Sequence, residues 1–392
     1  MDMTDRPYLD WNATAPLRLE ARAAIAAALE LAGNPSSVHA EGRAARRLVE
    51  EAREKVAALA GADPALVTFT SGGTEANMLA LTPDLQSGEK KGACTRLLVS
   101  AIEHVSVRAG GRFAPEAVEE IAVTPKGVVD LDALAKRLAA LPKGERVLVS
   151  VMLANNETGV IQPISDIAAI AHEAGALLHV DAVQAAGRIR CDIRELGADL
   201  LTISAHKLGG PKGAGALIRR DEALRPAPLM RGGGQERRLR AGTENVAGIA
   251  GFGAAAEAAA RDLKADAARM AALRDRLEAG LKAATPRVII FGAEAERVPN
   301  TTLFALPGAK AETAVIALDL EGFAVSSGAA CSSGKVKPSH VLAAMGAAPE
   351  LARGGIRVSL GWSTTEADID RFLNAWIKVA SALLKETRGM AA

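Results

Sequence analysis

The sequence predicts an α/β protein, with a mostly parallel sheet in a large domain and a smaller α+β domain beside it. One observation is the length, because 392 residues exceed what a single compact core usually holds. Another is that short apolar runs alternate with helical stretches up to about residue 250, which is typical of βαβ units. The last is that this alternation ends there and a long Ala- and charge-rich stretch begins.

The first part of the chain carries the pattern of the large sheet. Helical patterning runs from about residue 17 to residue 59 and is broken by a turn at 33–36. Short apolar runs follow, and right-handed crossovers between them would place helices on both faces of the sheet. The predicted strands are Val67–Thr70, Leu97–Ser100, Val147–Leu153, Leu177–Asp181, Leu200–Ser204 and Gly215–Ile218.

The last third of the chain has a different pattern. A long helix is predicted over Gly253–Ala284 as a connector that leaves the sheet domain. Strand candidates then mix with helical patterns, which predicts a smaller α+β domain. The candidate strands are Val288–Phe291, Thr301–Leu306 and Ile356–Ser359, and the helical patterns cover 310–319, 338–345 and 366–384.

Composition excludes several classes of protein. Hydrophobic residues make up 49% and charged residues 24%, and the net charge of +1 is spread along the chain, so neither a nucleic-acid surface nor a membrane surface is indicated. No signal peptide and no uncharged run of membrane-spanning length is visible. The three cysteines are sparse and form no CxxC pair, so we expect no metal site and a cytoplasmic location.

Polar residues follow five of the predicted strands. In open α/β sheets ligands bind beyond the carboxyl ends of the strands, so these groups are expected to converge on one site. They are Ser71–Glu75, Glu103 with His104, Asn155 with Asn156, Asp181 with Gln184, and Ser204 with His206 and Lys207.

The turn at Gly73 and Thr74 is a candidate phosphate site. Glycine lets the backbone approach an anion, and free N–H groups at the start of the following helix bind phosphate. A plain strand-to-helix turn with Thr74 as the N-cap explains the same residues, and no Walker motif follows.

Lys207 is the candidate covalent anchor. A lysine at a strand end is more often a surface group, but a partly desolvated amine condenses with an aldehyde. Asp181 either caps the next helix or holds a protonated pyridine nitrogen, and Gln184 could reach a phenolic oxygen on the same ring. Together these residues predict that Lys207 forms a Schiff base with pyridoxal phosphate, with Ser204 and His206 at the phosphate.

Three further residues carry candidate chemistry. His104 could stack on a planar cofactor and exchange protons, although a lone histidine is usually structural. Cys331 lies in a Gly- and Ser-rich segment, where a thiol is either merely exposed or used. Arg357 lies between apolar neighbours, and either pairs with a substrate carboxylate or forms a structural salt bridge.

At this point the chain resembles the cysteine desulfurases of the NifS/IscS-like group, within the class V aminotransferases. The similarity runs in order along almost the whole chain, and the lysine segment and the cysteine segment occur together. The segments that carry it are Tyr8–Asp10, Asn34–His39, Thr70–Asn77, Glu103–His104, Asn155–Gly159, His179–Gln184, His206–Lys207, Gly210–Gly213, Gly232–Arg237, Gly242–Asn245 and Ser326–Ser332.

The resemblance implies the type I fold of pyridoxal phosphate-dependent transferases and a homodimer. It implies a large domain over residues 16–258 and a small domain made of 1–15 and 259–392, which carries the cysteine. Lys207 would carry the cofactor, and Thr243 would reach the cofactor of the partner subunit. Asn34, Asn156 and Arg357 would hold the substrate. The other cofactor contacts would be Gly73, Thr74, Asn156, Asp181, Gln184, Ser204 and His206.

The reaction implied is removal of sulfur from L-cysteine, which leaves L-alanine and a persulfide on Cys331, with His104 and Lys207 moving protons. The sulfur would pass to an acceptor protein, such as an iron–sulfur scaffold. The alternatives are a selenocysteine lyase, another aminotransferase or lyase of the same fold, and a non-catalytic sulfur carrier. Trp11, Ala15 and the pair Leu208-Gly209 depart from the usual pattern of the group.

Overall fold

The computed structural model describes residues 6–88, 92–142, 144–328 and 338–389, with side chains up to residue 384 at the C-terminal end. The helices of this part are α1 (Leu19–Leu29), α2 (Ala40–Leu59), α3 (Gly73–Ala80), α4 (Val105–Arg108), α5 (Leu131–Ala139), α6 (Ile164–Glu173), α7 (Val246–Ala284), α8 (Ala311–Leu320), α9 (His340–Ala344), α10 (Pro349–Arg353) and α11 (Glu366–Gly389). The strands are β1 (Val67–Thr70), β2 (Leu85–Ser87), β3 (Arg96–Ser100), β4 (Val118–Ile121), β5 (Val147–Met152), β6 (Leu177–Asp181), β7 (Leu200–Ser204), β8 (Gly215–Arg219), β9 (Leu224–Pro226), β10 (Ile289–Phe291), β11 (Thr301–Ala305), β12 (Ser326–Ser327) and β13 (Ile356–Ser359).

The larger sheet has seven strands in the order β1-β8-β7-β6-β5-β3-β4. Neighbouring strands from β4 to β7 run parallel, whereas β8 is antiparallel to both β1 and β7. The predicted α/β class with a mostly parallel sheet is therefore confirmed. All six predicted strands are present, and β4 is an additional edge strand in which Glu119 is half-buried and Glu120 is exposed.

The second sheet is antiparallel, with the order β10-β11-β13-β12. Its core is separate from that of the larger sheet and contains Phe304, Phe372 and Trp376. Leu9 belongs to the same core, and its N–H donates to the carbonyl of Ala324 at 2.9 Å. The N-terminal residues therefore pack with the C-terminal sheet.

The 39-residue helix α7 joins the two cores. Its first half contributes Phe252 to the core of the larger sheet, and its second half contributes Leu277 to the other core. At Gly253 an added Cβ would lie 2.5 Å from Cα of Ala52, so this glycine permits close packing of α7 against α2. The predicted domain boundary after residue 258 falls inside this helix and stays a prediction.

Three properties of the described ranges bear on function. No helix among these residues has both the length and the apolar character needed to cross a membrane. Within the same residues, no group of three or more His, Cys, Asp or Glu side chains could hold a metal ion. Cys94 and Cys191 are buried free thiols.

Candidate active site

A cavity of about 200 Å³ lies where β3, β5, β6 and β7 end. Parallel strands present their carboxyl ends at one edge of the sheet, so polar residues that are distant in sequence meet there. The cavity brings together nine of the residues expected at the site: Gly73, Thr74, His104, Asn156, Asp181, Gln184, Ser204, His206 and Lys207.

One end of the cavity is suited to an anion. Helix α3 begins at Gly73, and an added Cβ there would lie 2.9 Å from Cγ2 of Val183, so the backbone approaches its neighbours closely. The hydroxyl of Ser204 is buried and has no hydrogen-bond partner among the described residues. Free N–H groups at a helix start and an unsatisfied hydroxyl together can bind a phosphate.

Asp181 is held in place by an amide that the sequence did not reveal as functional. Oδ2 of Asp181 accepts a hydrogen bond from Nδ2 of Asn77 at 2.8 Å, and Oδ1 accepts from the N–H of Val183 at 2.9 Å. Asn77 lies almost one helical turn after Thr74 on α3, and both line the cavity. That spacing is the signal that could have identified Asn77.

Lys207 contacts the N-terminal segment. Its Nζ donates to the carbonyl of Asn12 and, at 2.9 Å, to the carbonyl of Ala13. Nε2 of Gln184 donates to the same Asn12 carbonyl at 2.9 Å, and Arg188 donates to Oε1 of Gln184. Asn12 and Arg188 therefore support the site, although neither stands at a strand end, where a position in the sequence could indicate it.

The two histidines in the cavity favour the neutral form. Burial, followed by the charges of Lys207 and Lys212, lowers the pKa of His206 to about 4. Burial also lowers the pKa of His104, and Asp181 partly opposes this effect. A neutral imidazole can accept a proton as well as donate one, as a group that moves protons requires.

A buried carboxyl group lies behind this edge of the sheet. Oε1 of Glu103 accepts from Oγ of Ser100 at 2.5 Å and from the N–H of Met152 at 2.7 Å. Oε2 has no hydrogen-bond partner in the described part of the chain. Burial raises the pKa of Glu103 to about 8, so this group is mostly neutral near pH 7.

The remaining expected residues do not line this cavity. Arg357 is buried behind it, where Nη1 donates to the carbonyl of Asn156 at 3.0 Å and Nη2 pairs with Oδ1 of Asp10 at 2.7 Å. Asn34 and Thr243 are exposed, and Thr243 lines a different pocket. Cys331 lies outside the described residues.

Known proteins resemble the chain over nearly its whole length. The profile of the family described as Aminotransferase class-V matches residues 7–372. The chain is 42% identical to cysteine desulfurase IscS of Dictyoglomus turgidum, over 96% of this chain and 95% of that protein. It is 44% identical to a cysteine desulfurase of Cereibacter sphaeroides, over 94% of each.

A solved structure matches the fold over a similar share of the chain. The X-ray structure of a NifS-like protein from Rickettsia africae superimposes with a TM-score of 0.86 at 36% identity, covering 96% of this chain and 99% of that one. The similarity expected from the sequence is thereby confirmed. The chain belongs to the class V aminotransferase family, among its cysteine desulfurases.

Proposed function

We propose that this protein is a pyridoxal phosphate-dependent cysteine desulfurase that moves sulfur from L-cysteine to Cys331 and releases L-alanine. The observation that carries the proposal is the convergence of Lys207, Asp181 and the Gly73–Thr74 turn on one cavity. Full-length relatives named cysteine desulfurase support this choice among the reactions of the family.

The cavity fits the cofactor. The buried, unsatisfied hydroxyl of Ser204 lies beside the glycine turn, where the phosphate would bind together with Thr74 and His206. Lys207 would hold the cofactor covalently, and Asp181 would hold the pyridine nitrogen. Gln184 and Asn156 would contact the ring. When bound, pyridoxal phosphate supplies an electron sink for the bond changes at the substrate.

The protein's own side chains would move the protons. Lys207, once its amine is free, would take the α-proton of the substrate and return a proton later in the reaction. His104, whose pKa is lowered by burial, would exchange protons at the substrate thiol. The thiolate of Cys331 would attack the substrate sulfur, so that an S–S bond forms as the S–C bond breaks.

Arg357 would bind the substrate carboxylate. Its side chain is buried, it contacts the carbonyl of Asn156, and Nε has no hydrogen-bond partner within the described ranges. A guanidinium group binds a carboxylate through two parallel hydrogen bonds. Asn156 lines the cavity and would assist, whereas Asn34 does not line it, and its role stays a prediction.

The working form would be a cytoplasmic homodimer. The exposed Thr243 does not line the cavity of its own chain, as expected of a residue that serves a partner subunit. The persulfide sulfur would then go to an acceptor protein, such as an iron–sulfur scaffold.

The test is the reaction itself. Protein loaded with pyridoxal phosphate should convert L-cysteine into equal amounts of alanine and sulfide when a thiol reductant is present. No 2-oxo acid should be required. Turnover that needs a 2-oxo acid and gives no sulfide would show an aminotransferase instead.

A further inference from the structure

The carboxyl group of Glu157 lies between two parts of the chain that flank Cys331. Gly328 directly precedes the segment 329–337, which contains Cys331, and Ser339 follows that segment after Pro338. Glu157 itself comes directly after Asn156, which lines the cavity, and its side chain is 2% exposed. Its buried carboxyl therefore lies next to residues on both sides of that segment, and its backbone adjoins a residue that lines the cavity.

The contact with Ser339 is a directional hydrogen bond. Oγ of Ser339 lies 2.5 Å from Oε2 of Glu157, and the same Oγ accepts from the N–H of Leu342 at 3.0 Å. The Ser339 hydroxyl donates its hydrogen to the carboxyl, and its oxygen keeps a lone pair for the Leu342 N–H. Ser339 is 1% exposed, so water does not compete for this bond.

The contact with Gly328 is steric. A Cβ added at Gly328 would lie 2.8 Å from Oε2 of Glu157, a distance that real Cβ atoms do not tolerate. The N–H of Gly328 donates to the carbonyl of Gly355 at 2.9 Å, which fixes the backbone at this point. The same carboxyl oxygen thus lies beside Gly328 and is hydrogen-bonded to Ser339, one residue on each side of the segment.

A second hydrogen bond fixes the chain just after the segment. His340 lies 3.0 Å through Nε2 from the carbonyl of Glu103, the residue before His104. Ser339 and His340 therefore attach to the polypeptide next to two residues of the proposed site, Asn156 and His104. The end of the segment is tied to the cavity rather than to its own sheet alone.

We propose that Glu157 is a positioning residue for sulfur transfer, which holds Gly328 and Ser339 so that Cys331 is presented to the substrate. This inference rests on the proposed function, because it assigns Glu157 to the transfer step of that reaction. It is supported by the burial of Glu157, which raises the pKa of this carboxyl to about 7. Burial of a carboxyl group costs free energy of folding. The hydrogen bond from Ser339 and the close approach of Gly328 give this buried group a role.

The test separates substrate binding from sulfur transfer. In protein loaded with pyridoxal phosphate, Glu157→Ala should leave the affinity for L-cysteine unchanged, measured by the change in cofactor absorption. It should lower kcat for alanine release by about 100-fold, as expected for displacement of a reacting group by about 1 Å. Glu157→Gln keeps an acceptor oxygen for the Ser339 hydroxyl and should recover most of kcat.

Glu278→Ala is the matched control. Glu278 is also buried and its Oε1 accepts from a threonine hydroxyl, Oγ1 of Thr302, at 2.8 Å, but it contacts neither end of the segment. Its loss should lower the thermal midpoint and leave kcat at the wild-type level. The proposal is overturned if Glu157→Ala lowers kcat no more than Glu278→Ala does. It is also overturned if Glu157→Ala weakens cysteine binding by as large a factor as it lowers kcat.

Ser339→Ala keeps the test valid if Glu157→Ala does not fold. It removes only the hydroxyl and should lower kcat without changing cysteine affinity, whereas Ser339→Thr should restore kcat. An unchanged kcat in Ser339→Ala would contradict the proposal. Failure of the proposed function is distinguishable, because the wild-type protein itself would then release no alanine from cysteine.

Discussion

Nδ2 of Asn77 donates a 2.8 Å hydrogen bond to Oδ2 of Asp181, and the two side chains are 1% and 5% exposed. The amide is neutral, so the bond orients the carboxylate without cancelling its charge. In the proposed reaction that carboxylate holds the pyridine nitrogen of the cofactor, and Asn77 fixes its direction.

Removal of this amide should therefore impair turnover more than cofactor binding. Asn77→Ala should lower kcat roughly tenfold, the scale on which supporting residues around an active site act, while the cofactor stays bound. Asn77→Asp should be worse, because it places a second carboxylate against Asp181. Steady-state kinetics with measured cofactor content checks both, and wild-type kcat in both variants would contradict the assigned role.

Lys207→Ala should abolish covalent attachment of pyridoxal phosphate. The visible absorption band of the bound cofactor depends on the bond to the lysine nitrogen, so it should disappear from the purified variant. Lys212→Ala, which changes an exposed lysine five residues later, should keep the band. An unchanged visible spectrum in Lys207→Ala would disprove the assignment of the anchor.

The pH dependence of stability should show a maximum. Burial lowers the pKa of His179 to about 4, and His206 has a similarly lowered value, so the unfolded chain binds more protons there and stability rises from about pH 4 to 6.5. Burial raises the pKa of Glu157 to about 7 and that of Glu103 to about 8, so the folded chain binds more protons and stability falls from about pH 5 to 8.

The glutamate contribution can be isolated by substitution. Glu157→Gln removes a group that takes up a proton on folding, so its free energy of unfolding should fall less than that of the wild type between about pH 5 and 7. The difference should amount to about 2–3 kcal/mol across this window. Urea unfolding at several pH values measures it, and parallel curves for the two proteins would contradict the predicted ionisation.

A buried ion pair should be important for stability. Arg53 pairs with Glu236 through two hydrogen bonds of 2.8 Å, and Glu236 adopts a positive φ of 45°. Glu236→Gln should cost about 3 kcal/mol of unfolding free energy, because a buried guanidinium loses its main counter-charge. Glu257→Gln, which breaks the exposed pair with Lys55, should cost less than about 1 kcal/mol. Equal losses in urea unfolding would contradict this assignment.

Most of the fold could be predicted because its strands are buried on both faces. Such strands read as uninterrupted apolar runs, and Leu177–Asp181 and Leu200–Ser204 have the predicted ends. The edge strand β4 was missed because its sequence, Val-Glu-Glu-Ile, lacks that signal. The predicted break at 33–36 lies inside a wider gap between two helices, because α1 ends at Leu29 and α2 begins at Ala40.

The candidate site could be predicted where strand order alone brings residues together. Asp181, Ser204 and Lys207 line one cavity for that reason. Asn12 reaches Lys207 only through the packing of the N-terminal segment, which no local pattern reveals. The roles of Thr243 and Cys331 came from family resemblance, and both stay predictions.

The most direct test of the central claim is a single turnover of the protein loaded with pyridoxal phosphate, without reductant and with limiting L-cysteine. Peptide mass analysis and quantification of alanine follow the reaction. For the wild type we predict one additional sulfur atom on the peptide that contains Cys331 and a matching amount of alanine. For Cys331→Ala we predict that L-cysteine binds but that no alanine forms. Alanine formation at the wild-type rate in Cys331→Ala, or sulfur found on Cys94 or Cys191 instead, would contradict the account.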